Sequence, residues 1–145
     1  NKKGHFNVPF GRYKNPRICD ETNLLAVSCA LRGVTILSRD FEEVAICAQS
    51  GDFVYFDPPY HPLSETSDFT SYVDSGFGTK DQERLASVAR YLTRAGVFCM
   101  ISNSDTEFAR KLYAGFRVEH VEARRSINSK KDRRGWVPEL IVRNW

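Results

Sequence analysis

Four consecutive residues, Asp57-Pro58-Pro59-Tyr60, carry the groups best suited to chemistry in this sequence. They follow an apolar run, Phe53-Val54-Tyr55-Phe56, that reads as a buried strand. Proline fixes φ and donates no backbone N–H, and Pro59 pushes Pro58 toward an extended conformation. The expected result is a rigid, open corner at a strand end. It presents the Asp57 carboxylate and the Pro58 carbonyl, with an aromatic ring just beyond. Open α/β sheets bind ligands at such strand ends. The two oxygens can accept both N–H bonds of a planar amino group while Tyr60 stacks on the ring that bears it. Taken alone, the same tetrapeptide also fits a plain strand-to-loop turn that holds an aspartate.

The elements that must position this corner follow from periodicity. Leu24, Val27, Ser28 and Leu31 repeat at helical spacing, with Asp20 or Thr22 as the cap and Gly33 as the stop. Val34-Thr35-Ile36-Leu37 reads as a short strand. Asp40-Phe41-Glu42-Glu43 has the form of a capping box and predicts a helix to about Ser50, closed by Gly51. After the corner, residues 61–78 form a long polar loop with aromatics and glycines, expected to act as a lid over the site. Thr79-Lys80-Asp81-Gln82 opens a helix with Leu85, Val88, Ala89 and Leu92 on its apolar face, ending at Gly96. Val97 to Ile101 is a buried strand followed by Ser102-Asn103, and Ser104-Asp105-Thr106-Glu107 caps one more helix that Gly115 closes. Arg117 to Arg125 and Leu140 to Trp145 predict an antiparallel hairpin. Alternating strands and helices imply a mostly parallel sheet with helices on its faces, and the hairpin adds mixed character.

Bulk composition sets limits. With 145 residues, 41% hydrophobic and 27% charged, the chain suits one ordinary globular domain, without a run long enough to span a membrane. A net charge of +3 permits a nucleic-acid partner without demanding one. The four cysteines form no C-x-x-C pair, and three sit in apolar or helical stretches that favour buried thiols. Reduced cysteines, a cytoplasmic setting and no zinc site are expected. The opening at Asn1, without a methionine or signal-peptide pattern, reads as the middle of a longer protein. Residues 1–18 differ from the rest: cations, glycines, prolines and aromatics alternate without a period. Such a segment fits contacts to phosphates and base edges and equally a basic surface loop pinned by its aromatics.

The full set of motifs resembles the C-terminal part of Dam-type (D12 class) DNA adenine-N6 methyltransferases. The residues that carry the resemblance are Phe6-Asn7-Val8-Pro9-Phe10-Gly11-Arg12-Tyr13, Asp57-Pro58-Pro59-Tyr60 with Pro62-Leu63-Ser64, and Phe69-Thr70-Ser71-Tyr72. Ile101-Ser102-Asn103 with Asp105-Thr106, and Arg124-Arg125-Ser126-Ile127, complete it, in the family's order and across nearly the whole chain. D-P-P-Y is shared by many amino-methylating enzymes; N-V-P-F-G-R-Y is much narrower.

The resemblance implies a partial Rossmann-like methyltransferase fold with a C-terminal antiparallel strand pair. Residues 1–18 would end a target-recognition segment and 19–145 would form the C-terminal part of the catalytic domain. The family's glycine-rich F-x-G-x-G cofactor motif is absent here, so the N-terminal cofactor-binding part is expected upstream. It further implies methyl transfer from S-adenosylmethionine to adenine N6 in double-stranded DNA, with GATC the expected site and the base flipped out. Asp57 and the Pro58 carbonyl would hold the amino group, Pro59 would shape the turn, and Tyr60 would stack on the base. Asp57, Asp40 and Phe41 would touch the cofactor, although Asp40 reads equally as a helix cap. Asn1, Asn7, Pro9, Arg12, Tyr13, Ser64, Arg124 and Arg125 would face DNA. The Lys130-Lys131 and Arg133-Arg134 pairs fit either a second basic surface or a solvated hairpin tip. No metal is implied. A monomer in a prokaryotic or phage-infected cell is expected, from a restriction-modification, phage or housekeeping system. An RNA or protein-glutamine methyltransferase with the same corner, or a non-catalytic DNA-binding module, are the alternatives.

Overall fold

The computed structural model describes residues 14–16, 18–63, 76–124 and 136–145. The chain divides into two compact units, Asn1–Ser38 and Arg39–Trp145. In the first, α1 (Glu21–Ala30) is capped by the Asp20 carboxylate, which accepts from the Asn23 N–H at 3.2 Å. Its expected apolar face, Leu24, Val27 and Leu31, is exposed. Val34 to Leu37 does not form a strand. A β-branched run becomes a strand only where a neighbour completes its ladder, and none pairs with it among the described residues.

The second unit is built on a four-stranded sheet ordered β1-β2-β4-β3. Strand β1 (Phe53–Phe56) pairs in parallel with β2 (Phe98–Ser104), with Phe56 opposite Ile101. Strand β4 (Trp136–Arg143) lies antiparallel between β2 and β3 (Arg117–Arg124). The sheet is therefore mostly antiparallel, which corrects the mostly parallel expectation. The expected hairpin is present and is longer than the pattern suggested. It supplies two of the four strands, and its second strand inserts next to β2 rather than extending a parallel series. Pro138 is tolerated inside β4 because β2 has ended there. The last β2–β4 pair is Ser104 with Glu139, and only the Pro138 carbonyl is used beyond it, by the Asp105 N–H.

Helix α3 (Thr79–Arg94) joins β1 to β2. Leu85, Ala86, Val88, Ala89 and Leu92 are buried at helical spacing and meet Cys99, Ile101, Leu140 and Val142 in one core. Its cap is Gly78 rather than Thr79: Asp81 accepts the Gly78 N–H at 3.0 Å, which leaves Gln82 free for another task. Helix α2 (Phe41–Ala45) is one turn long and stops well before Ser50. Helix α4 (Glu107–Leu112) is capped by Thr106, and Ser104 belongs to β2. Where α3 ends, Gly96 has φ +74°, and a Cβ there would stand 2.7 Å from Ser50 Oγ. This close approach lets the Gly51 N–H reach the Gly96 carbonyl at 3.0 Å and sets β1 beside β2.

All four cysteines are free, but only Cys99 is buried, where desolvation pushes its thiol up to about 12. Cys19, Cys29 and Cys47 are exposed, which corrects the expectation of mainly buried thiols. No helix among the described residues is long and apolar enough to cross a membrane.

Candidate active site

The parallel register aligns the C-terminal ends of β1 and β2, so Asp57 emerges next to Ser102. The Ser102 hydroxyl donates to Asp57 Oδ1 at 2.9 Å and accepts from the Tyr55 hydroxyl at 3.1 Å. Asp57 itself is exposed while Ser102 is buried, so the carboxylate is held from behind and open in front. No hydrogen bond among the described residues engages the Pro58 carbonyl. Both oxygens expected to grip an amino group therefore remain available.

The turn itself is held by two buried amides. Gln82 Nε2 donates to the Pro59 carbonyl at 2.8 Å, and Gln82 Oε1 accepts from Asn103 Nδ2 at 2.9 Å. Asn103 Oδ1 then accepts the backbone N–H groups of His61 and Ser104, each at 2.9 Å. Gln82 and Asn103 are 1% and 0% exposed, so water cannot substitute for these bonds. The chain thus enters and leaves the corner through fixed points. Just beyond, the His61 ring stacks on Phe108 with centroids 4.5 Å apart, and burial pulls its pKa down, keeping it neutral. Tyr60 donates a long hydrogen bond, 3.4 Å, to Glu139 on β4. Burial, with lesser help from the Glu139 and Asp57 carboxylates, pushes its pKa up, so it remains a phenol.

A cleft of about 470 Å³ opens at the corner. It brings together Asp57, Pro58 and Pro59 with Asp40, Phe41 and Phe77. The Phe41 ring is pinned by Phe56 and Phe77 at centroid distances of 6.3 and 6.1 Å and lies under the Arg84 guanidinium at 4.4 Å. Asp40 is the helix cap, accepting from the Glu42 N–H at 2.9 Å, and also pairs with Arg84 at 2.8 Å. The Glu42 N–H foremost, with help from Arg84, lowers the Asp40 pKa below its ordinary 3.8. A lowered folded pKa gives stability that is present above the unfolded value and lost as pH falls through the folded one. Asp40→Asn retains a good cap but not the charge. Its thermal midpoint should lie below that of the wild type at neutral pH, and the gap should close below about pH 4. An unchanged gap in acid would show that the Asp40 charge, through the Glu42 N–H or Arg84, plays no part.

The structure therefore gathers Asp57, Pro58, Pro59, Asp40 and Phe41 around one cleft, with Tyr60 on the β4 side of the turn. Asn1, Asn7, Pro9, Arg12, Tyr13, Ser64 and Arg125 lie outside the described residues, as does most of the expected lid. Arg124 ends β3, its backbone paired with Trp136. Ser102, Asn103 and Gln82 carry site roles that the residue pattern did not assign. The position of Ser102-Asn103 at a buried strand end was the available signal; Gln82 read as part of a cap.

Comparison with known proteins decides what this geometry belongs to. Residues 1–127 match the model of the D12 class N6 adenine-specific DNA methyltransferases. The chain belongs to this family. The type II methyltransferase M.MjaIII of Methanocaldococcus jannaschii is 51% identical over 147 aligned residues, covering 100% of this chain and 51% of that protein. The type II methyltransferase M1.LlaDCHI of Lactococcus lactis subsp. cremoris is 48% identical, covering 100% and 52%. The DNA adenine methylase of Escherichia coli K12 is 36% identical over 142 residues, covering 98% and 51%. The chain spans about half the length of these relatives. Family membership is enzymatic in kind, and the matched span includes the corner, its Gln82–Asn103 support and the cleft. Among the described residues, no group of three or more His, Cys, Asp or Glu side chains is arranged to hold a metal ion.

Proposed function

We propose that this chain carries the catalytic corner of a site-specific methyltransferase that acts on adenine N6 in double-stranded DNA, with S-adenosylmethionine as donor. The observation that carries this reading is the Asp57-Pro58-Pro59-Tyr60 corner, held from behind and open in front, in a member of an adenine-specific family. The cleft lining fits the donor: the open Asp57 carboxylate suits a sulfonium cation, and the Phe41 and Phe77 rings suit a purine. Asp40 and Phe41 would hold it on one side and Asp57 on the other. When bound, it supplies an electrophilic methyl group.

The corner prepares the acceptor. An exocyclic amine is a poor nucleophile because its lone pair is delocalised into the ring. Asp57 and the Pro58 carbonyl accept its two hydrogens and draw the nitrogen toward a tetrahedral shape. Ser102 fixes the carboxylate orientation, and Gln82 and Asn103 fix the turn, so little reorganisation is needed on binding. The target base must leave the duplex to reach the corner, and Tyr60 stacks on it. Residues 1–18 end a target-recognition segment in this reading. Asn1, Asn7, Pro9, Arg12 and Tyr13, with Ser64, Arg124 and Arg125, touch the duplex. Residues 19–145 form the C-terminal part of a Rossmann-like catalytic domain; the parallel β1–α3–β2 unit supports that assignment.

GATC is the proposed site. Tritiated S-adenosylmethionine, incubated with the full-length protein and duplexes with or without GATC, tests both parts. Label in GATC duplexes alone is expected. Label independent of GATC would overturn the site assignment, and binding without any label would favour a non-catalytic DNA-binding module.

A further inference from the structure

At the end of β2 away from the corner, a second recess of about 490 Å³ lies between the last turns of α3 and the start of β3. Helix α3 runs from one site to the other. Gln82 reaches the corner, and Arg90 and Arg94 line the recess, roughly 12–18 Å further along at 1.5 Å per residue. Arg117 supplies a third guanidinium, and Phe116 and Trp145 supply two aromatic rings. No Asp or Glu side chain is among the residues that line it.

The three arginines are not equally engaged. Arg90 donates to the Leu112 carbonyl at 2.6 Å and lies 5.9 Å over the Phe116 ring. Arg117 meets Glu119 at 3.2 Å outside the recess, a carboxylate it shares with Arg143. Arg94 has no partner among the described residues. Trp145 is fixed edge-on against Phe53 and Phe98, with centroids 5.9 and 5.8 Å away, yet 42% of its surface is open. Arg94 keeps its donor fork free of partners among the described residues, and Arg117, whose acid Glu119 lies outside the recess, stands beside it; planar guanidinium forks bind a phosphate well. The Arg143 guanidinium lies 5.7 Å over the Trp145 ring, so a base would stack against the part of the indole that Arg143, Phe53 and Phe98 leave open. The volume is within the range of small-ligand sites.

We propose that this recess binds a nucleotide unit, its phosphate on Arg94 and Arg117 and its base against Trp145. The unit is free or is part of an unpaired strand, since both present the same chemistry. The site is separate from the corner and independent of the methyl-transfer reading.

Photo-cross-linking of 5-iodo-2′-deoxyuridine 5′-monophosphate to the full-length protein, mapped by mass spectrometry, tests this. A pyrimidine avoids competition for an adenine-gripping corner. A saturating adduct on Trp145 or Phe116 is expected. It should fall at least tenfold in Arg94→Ala/Arg117→Ala, whose folding is checked by its melting curve, and persist in Asp57→Ala. The same base in a single-stranded trinucleotide separates the sources: saturation at lower concentration assigns a strand, and saturation only with the monophosphate assigns a free nucleotide. No adduct in the recess, an adduct indifferent to the double substitution, or equal labelling by the nucleoside without phosphate overturns the proposal.

Discussion

Asp57→Ala should lower single-turnover methylation by roughly 10²–10³-fold or more, the scale on which a single preorganised polar group acts in other active sites. Asp57 is exposed and its one side-chain bond among the described residues is to Ser102, so the substitution disturbs neither the core nor the amide support of the turn. Melting temperature and affinity for duplex DNA should therefore change little. Asp57→Asn is the sharper probe. It keeps the shape and one carbonyl oxygen, but its amide turns an N–H toward either Ser102 or the incoming amine. Activity close to wild type in Asp57→Asn would mean that the charge has no part in activating the amine. Wild-type activity in Asp57→Ala would remove the corner from the mechanism altogether.

Asn103→Ala should give the largest loss of stability among the site variants. The side chain is fully buried and serves three partners: the His61 and Ser104 N–H groups and Gln82 Oε1. Each buried group left without a partner costs about 1–3 kcal/mol, and the removed volume leaves a small cavity besides. A melting-point drop on the order of 10 °C follows for a unit of this size. Assayed well below its midpoint, where the protein is folded, the variant should still methylate poorly, because Gln82 loses its anchor and Pro59 with it. Gln82→Ala should share the activity loss with a smaller stability loss. If Asn103→Ala lowers the melting point but retains full activity in the folded protein, the two amides stabilise the fold without positioning the corner.

The corner and the elements that flank it were legible in the chain because each is a local pattern. The apolar run before Asp57, the two prolines, the helical spacing of Leu85 to Leu92 and the buried run from Val97 are all contiguous. What was not legible depends on partners distant in sequence. Gln82 occupies a position where a polar residue at a helix start reads as a cap, and only the fold brings it to Pro59, 23 residues earlier. Ser102 becomes a site residue through a register that no single strand specifies. The parallel expectation failed because β4 inserts beside β2, and nothing in its own alternation states which neighbour it will have. Val34 to Leu37 has strand-like composition without a ladder to join among the described residues.

The Asn103 bond to the His61 backbone has a consequence for how the molecule breathes. An amide in an irregular segment ordinarily trades its hydrogen for deuterium quickly, since small local openings expose it. The His61 N–H instead ends on a fully buried acceptor that Gln82 and β2 hold in place. It is released only when α3 and β2 separate, which is close to complete opening of this unit. Its exchange should be as slow as that of the Ile101 or Val142 amides, making a residue outside any helix or strand a reporter on the integrity of the whole corner.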